Sequence, residues 1–178
     1  MNTHNGHFNL LARVLHWTMA LMIIAMLFIG VTMVASLHLR PMLIDLHRPL
    51  GIAILLLVLL RLYNRLRHRP PPLSADLPVW QVMAAKASHW MLYALMLAMP
   101  LIGWAMLSAG GYPIVLWGGL HLPPIVPHTP ALYVALRNAH SLLAYVLFAT
   151  VLMHVGAALF HLWVRRDGVF QAMARGKD

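Results

Sequence analysis

The chain has 178 residues, of which 61% are hydrophobic and 10% charged, with a mean hydropathy of +0.75; this excludes a water-soluble domain, which stays near roughly 45–50% apolar. The absence of cysteine excludes disulfides, iron–sulfur clusters and thiol-attached haem. The formal net charge of +9 does not describe a nucleic-acid surface, because no stretch interleaves basic residues with base-stacking aromatics in a soluble domain.

Four apolar runs reach the roughly 20 residues that a membrane helix needs. The first, residues 14–36, opens on "RVLHW" and places His16 at its start. It is longer than the roughly 7–15 residues of a signal-peptide core and reads as a retained span. The second, residues 47–65, opens on "HRPLG", with His47, Arg48 and, one turn on, Gly51. It gives way to "RLYNRLRHRPPPLSADLP", basic and then proline-rich, where a membrane helix must stop and a polar turn begin. The third, residues 83–107, opens on "KASHW" with His89. "SAGGYPIVLWGGLHLPPIVPHTP" follows, still apolar but rich in Gly and Pro, and is expected on the membrane surface as a partial cap on the bundle. The fourth, residues 138–164, carries His140, His154 and His161 in "RNAHSLLAYVLFATVLMHVGAALFH". The expectation is one all-α domain over residues 1–178, a multi-pass four-transmembrane-helix bundle in contact with lipid.

Basic residues orient it. Arg13, Arg61, Arg65, Arg67, Arg69, Lys86, Arg165, Arg166, Arg175 and Lys177 fall on one side, against Arg40, Arg48 and Arg137 on the other. The positive-inside rule then puts both termini and the second connection in the cytoplasm. It also assigns depths, with His47 and His140 at the outer face and His16, His89 and His154 towards the inner one.

An imidazole inside lipid is costly unless something there binds it. His140 and His154 are fourteen residues apart, about 21 Å along a helix and about 40° from the same face, so two sites are stacked along one helix. A haem iron takes two axial ligands from opposite sides of a flat ring, and facing helices of a four-helix bundle can supply one histidine each. Zinc wants more ligands at one depth, often Cys or carboxylate, and only Asp45 lies near the outer pair. Haem b suits the pattern better. Gly51 and Gly156, close to His47 and His154, would let a planar ring approach the backbone, although membrane helices also use glycine simply to pack. Arg13, Arg48 and Arg137 lie within three residues of His16, His47 and His140, placed either to pair with haem propionates or to snorkel to lipid phosphates. On the inner side "RVLHW" and "KASHW" are near-repeats, and spacing leaves His16 and His89 equally placed as partner to His154.

The ordered set, "HW" opening the first span, "HRPLG" the second, "HWMLYALMLAMPLIGW" in the third and His140, His154 and His161 on the fourth, resembles the bacterial cytochrome b561 family over nearly the whole chain. That family includes di-haem superoxide oxidases and, more distantly, the cytochrome b subunits of nickel-iron hydrogenases and formate dehydrogenases. The resemblance implies two haems b, the outer between His47 and His140 and the inner between His16 and His154, with His89 a non-ligand that bonds a propionate and His161 on the quinone side. It further implies an inner-membrane oxidoreductase in which superoxide gives electrons at the periplasmic face and ubiquinone accepts them. Arg40, Arg48 and Arg137 would draw the anion in. The alternative is an electron-transfer subunit carrying electrons from a periplasmic redox partner, a dehydrogenase, to the quinone pool. The short tails and loops favour a self-contained oxidoreductase over such a subunit. A haem-free structural membrane protein is the third reading. His161 has a second role open to it, interfacial anchoring beside Trp163. His4, His7, His38, His68, His121 and His128 lie in tails or loops and carry no assigned function.

Overall fold

The computed structural model describes residues 7–68, 71 and 77–175; His4, Arg69 and Lys177 lie outside them. Four long helices dominate: α1 (Leu10–Ala35), α2 (Arg40–Arg67), α3 (Val79–Ala109) and α4 (Pro130–Phe160). All four are long and apolar enough to cross a membrane. Between α3 and α4 a small antiparallel hairpin, β1 (Ile114–Val115) and β2 (His121–Leu122), turns through Trp117–Gly119. After α4 the chain makes one π-helical turn, His161–Arg165, and ends in a short helix, α5 (Val169–Ala174).

Each helix is longer than its apolar run because polar turns continue the same ladder above the hydrocarbon. Asn9 caps α1 by accepting a hydrogen bond from the Ala12 amide at 2.7 Å, a contact worth about 1 kcal/mol. Pro41 and Pro130 start α2 and α4, where a missing N–H costs nothing. The sequence expectation that His47 and His140 open their helices is therefore corrected. Both lie about two to three turns inside, under a collar of helix. At the end of α3, a Cβ on Gly110 would come within 2.6 Å of the Tyr112 ring, and Gly111 takes φ +70°, so only glycine fits this turn.

Packing makes two antiparallel pairs, α1 with α2 and α3 with α4, joined where α2 meets α3. Their shared core is Met19 and Ile23 of α1, Ile54, Leu55 and Val58 of α2, and Tyr93 and Met96 of α3. By contrast α4 lies close to α3 but makes no extensive close backbone packing with α1 or α2. Space is thus left on the sides where α4 faces its histidine partners. Outward-facing Leu21, Phe28, Val31 and Tyr145 are exposed, as a lipid-facing surface requires. Trp17, Trp80, Trp90 and Trp163 ring one end and Trp117 the other, the positions of interfacial aromatic belts.

The first and last described residues come to one end of the bundle, referred to below as the inner end. There the Phe8 amide donates to the Ala172 carbonyl, Arg13 to Ala174 and the Trp17 indole to Met173, so α5 lies across the start of α1. Asn9 and the buried Asn64 exchange side-chain bonds at 3.3 Å, tying α1 to α2. At the other end the hairpin caps the bundle as expected. Ile114 is buried, Trp104 donates to the Pro123 carbonyl at 2.9 Å, and the Ile125 amide donates to Ser108 Oγ at 3.2 Å.

Candidate functional site

Two clusters of imidazoles occupy the gaps beside α4. At the outer end the rings of His47 (α2) and His140 (α4) face each other with centroids 6.2 Å apart and planes at 68°. Nδ1 of His47 and Nε of the neighbouring Arg48 are buried without a hydrogen-bond partner, which a folded interior seldom tolerates unless a further group completes the site, while the His140 ring bonds to the Met99 backbone. Gly103 of α3 lets the His140 ring rest on the helix, since a Cβ there would sit 3.4 Å from His140 Cε1. Arg40 and Arg137 are exposed at this end. A cleft of about 310 Å³ opens beside His47, lined by Asp45, Pro49, Val115, Leu116 and Trp117.

At the inner end three rings meet. His16 (α1) and His154 (α4) stand 6.2 Å apart with planes at 68°, repeating the outer pair, while His89 (α3) is 5.5 Å from His154. Between the two layers α4 is closed by Leu147 and Thr150, both buried, the Thr150 hydroxyl turned back onto the Val146 carbonyl at 2.7 Å. Among the described residues no group of three or more His, Cys, Asp or Glu could hold a bare metal ion. Paired imidazoles suit a metal that brings its remaining ligands with it, as a macrocycle does.

Of the two glycines expected beside a planar ring, a Cβ at Gly51 would touch Met26 Cε at 3.8 Å, which makes it a contact with α1, and one at Gly156 would meet nothing within 4 Å. Arg13 reaches the Ala174 carbonyl with one nitrogen, and its buried Nε has no partner. His68, expected to be an idle loop residue, turns its Nδ1 to the Asn64 carbonyl at 3.2 Å at the end of α2.

Two residues stand out that sequence reasoning left without a role at the site. Arg61 of α2 reaches into the inner cluster, with Nη2 3.1 Å from His16 Nδ1 and Nε donating to the Tyr93 hydroxyl at 3.2 Å. Asp167, whose side chain is 7% exposed, accepts from His161 Nδ1 at 2.7 Å and lies 3.3 Å from Arg165 Nε. A carboxylate only accepts, so Nδ1 of His161 carries the proton of this bond and Nε2 takes no part in it. Burial pushes the Asp167 carboxyl up, but hydrogen bonds from His161 and the Val169 amide, with the charges of His161 and Arg165, outweigh it and hold the group below the usual carboxylate range. A depressed carboxylate contributes stability that is present above its unfolded value and lost as pH falls through the folded one. Asp167→Asn is accordingly expected to loosen the π-helical turn. Trypsin cleavage after Arg165 and Arg166 should quicken several-fold in the variant at neutral pH. Equal cleavage of both proteins at neutral pH would show that Asp167 does not hold the turn.

Imidazoles paired across the bundle at two levels of four membrane helices fit one class of molecule, a membrane cytochrome of the b type. The chain belongs to the prokaryotic cytochrome b561 family, whose profile matches residues 7–176, a family of membrane haem b electron-transfer proteins of the bacterial inner membrane. It is 29% identical over 171 residues to cytochrome b561 homolog 1 of Escherichia coli (strain K12), covering 89% of this chain and 92% of that protein. It is 32% identical over 164 residues to the "Probable superoxide oxidase CybB" of Yersinia pestis, covering 89% and 90%, and 27% identical over 173 residues to cytochrome b561 homolog 2 of E. coli, covering 93% and 90%.

Proposed function

We propose that the protein is a di-haem oxidoreductase that takes electrons from superoxide at the periplasmic face and gives them to ubiquinone at the cytoplasmic side, both termini being cytoplasmic. The observation that carries the two-haem part is the repeated separation of 6.2 Å in His47–His140 and His16–His154. An imidazole nitrogen sits about 2.0–2.1 Å from a first-row metal, so two rings on opposite sides of one metal have centres about 6.3 Å apart. His89 at 5.5 Å from His154 is too close for that arrangement, which supports His16 as the inner ligand and leaves His89 beside the cofactor. Bound between these pairs, haem b supplies one-electron chemistry at two depths.

The chain's own residues account for the rest. The likeness to a relative named as a superoxide oxidase supports superoxide as donor, and Arg48, with its unpartnered Nε, provides positive charge next to His47 to draw in a small anion. His161, held by Asp167 through Nδ1, would pass a proton to a reduced quinone near the inner end. The balance is two superoxide to two dioxygen, with two electrons and two protons converting one quinone to quinol.

The test is to supply the purified holoprotein with enzymatically generated superoxide and a short-chain ubiquinone, following quinol and dioxygen. Superoxide-dependent quinol formation is expected, with Arg48→Gln lowering the rate about tenfold at low salt and less at high salt. Intact haems that superoxide does not reduce would instead favour the subunit that receives electrons from a periplasmic dehydrogenase.

A further inference from the structure

Arg61 is a half-buried charge that the electron path just described does not use. It lies in α2, within a helix that crosses the membrane, and all its partners are neutral: the Tyr93 hydroxyl at 3.2 Å, His16 Nδ1 at 3.1 Å and the Ala12 carbonyl at 3.5 Å. The carboxylates among the described residues are Asp45 and Asp167, and Arg61 pairs with neither. A second cation, Arg65, stacks over the Tyr93 ring at 5.6 Å from its centre, so the hydroxyl that anchors Arg61 belongs to a ring already carrying positive charge on its face. A guanidinium stays protonated at any working pH, and an arginine on a membrane-crossing helix that turns to partners inside the bundle marks a functional site by default.

We propose that Arg61 sets the reduction potential of the inner haem, its fixed positive charge raising that potential and so favouring electrons at the inner end. Reduction adds one negative charge beside the guanidinium, and their attraction is stronger in a low-dielectric interior than in water; local charge is one of the levers a protein has on a haem. Tyr93 is the positioning residue. A guanidinium can only donate, so its bond to His16 requires Nδ1 to accept. When His16 binds a metal through Nε2 and carries its proton on Nδ1, that bond is given up, and the Tyr93 hydroxyl keeps the charge in the cluster.

This inference rests on the two-haem reading, and an optical redox titration of the purified holoprotein separates the two. The inner haem is identified as the component retained in His47→Ala. Arg61→Gln is expected to lower the inner midpoint so that the electron-sharing equilibrium between the haems shifts about tenfold outward, about 59 mV for one electron, with the outer midpoint unmoved. Arg61→Lys, which keeps the charge, should restore most of the difference. An unmoved inner midpoint in Arg61→Gln, or equal shifts of both haems, overturns the proposal while leaving two haems in place. If Arg61→Gln fails to retain the inner haem, Tyr93→Phe decides. Releasing the guanidinium should lower the inner midpoint at full haem content, and no shift overturns the proposal. Fewer than two haems in the unaltered protein would instead refute the underlying reading.

Discussion

His47→Ala and His140→Ala are each expected to yield a protein with one haem per chain, the inner one, in place of two. The two histidine layers lie about 21 Å apart along α4, and the buried Leu147 and Thr150 close the helix between them, so an outer ligand can be removed without disturbing inner packing. Either variant would take away one of the two imidazoles that would hold the outer haem, and the expected effect is loss of the group rather than a modest weakening. The spectrum that remains should be the same in both, because His47 and His140 face each other across one gap. His154→Ala should leave the complementary component. If His16→Ala removed the same component as His47→Ala and spared the other, the pairing would be wrong.

His16→Ala and His89→Ala are expected to part company, although both residues follow a basic residue at the same spacing and open a span with a His-Trp pair. His16→Ala should lose the inner haem or turn it high-spin, since its ring stands at the separation from His154 that an intervening metal requires. His89→Ala should keep two low-spin haems. Its ring packs edge-on against His154 at 5.5 Å, a neighbour of a ligand, and changes at such neighbours weaken metal affinity by roughly 10–100-fold without opening a coordination position. Low-temperature electron paramagnetic resonance distinguishes the outcomes directly. A high-spin ferric signal in His89→Ala, with His16→Ala unaffected, would move the inner site to α3 and α4.

Much of this was legible in the sequence because a bilayer makes simple demands. Four apolar runs could only be four spans, and the fourteen-residue step from His140 to His154 fixed two depths on one helix. What spacing left open was which helix stands opposite, because lateral neighbours depend on packing that no linear pattern records; "RVLHW" and "KASHW" are equivalent until α1 and α3 are placed around α4. Arg61 was legible as a charge but not as a site residue. It lies near the inner end of the second run, where an arginine ordinarily snorkels, and only the fold turns it inward to His16 and Tyr93. Asp167 follows His161 by six residues, which matches no regular α-helical contact. The π-helical turn and the left-handed Arg166, at φ 53°, bring them together. Helix starts were misplaced because hydropathy marks the hydrocarbon boundary, whereas Pro41 and Pro130 mark where the hydrogen-bond ladder begins.

The central claim is that the facing histidine pairs each hold one b-type haem. It is tested most directly by counting haem against polypeptide in the purified protein, using a reduced-minus-oxidised spectrum of the extracted and native pigment. The account predicts two non-covalent haems b per chain, both six-coordinate and low-spin, resolved as two components of which His47→Ala removes one. A stoichiometry of one or none per chain would contradict it.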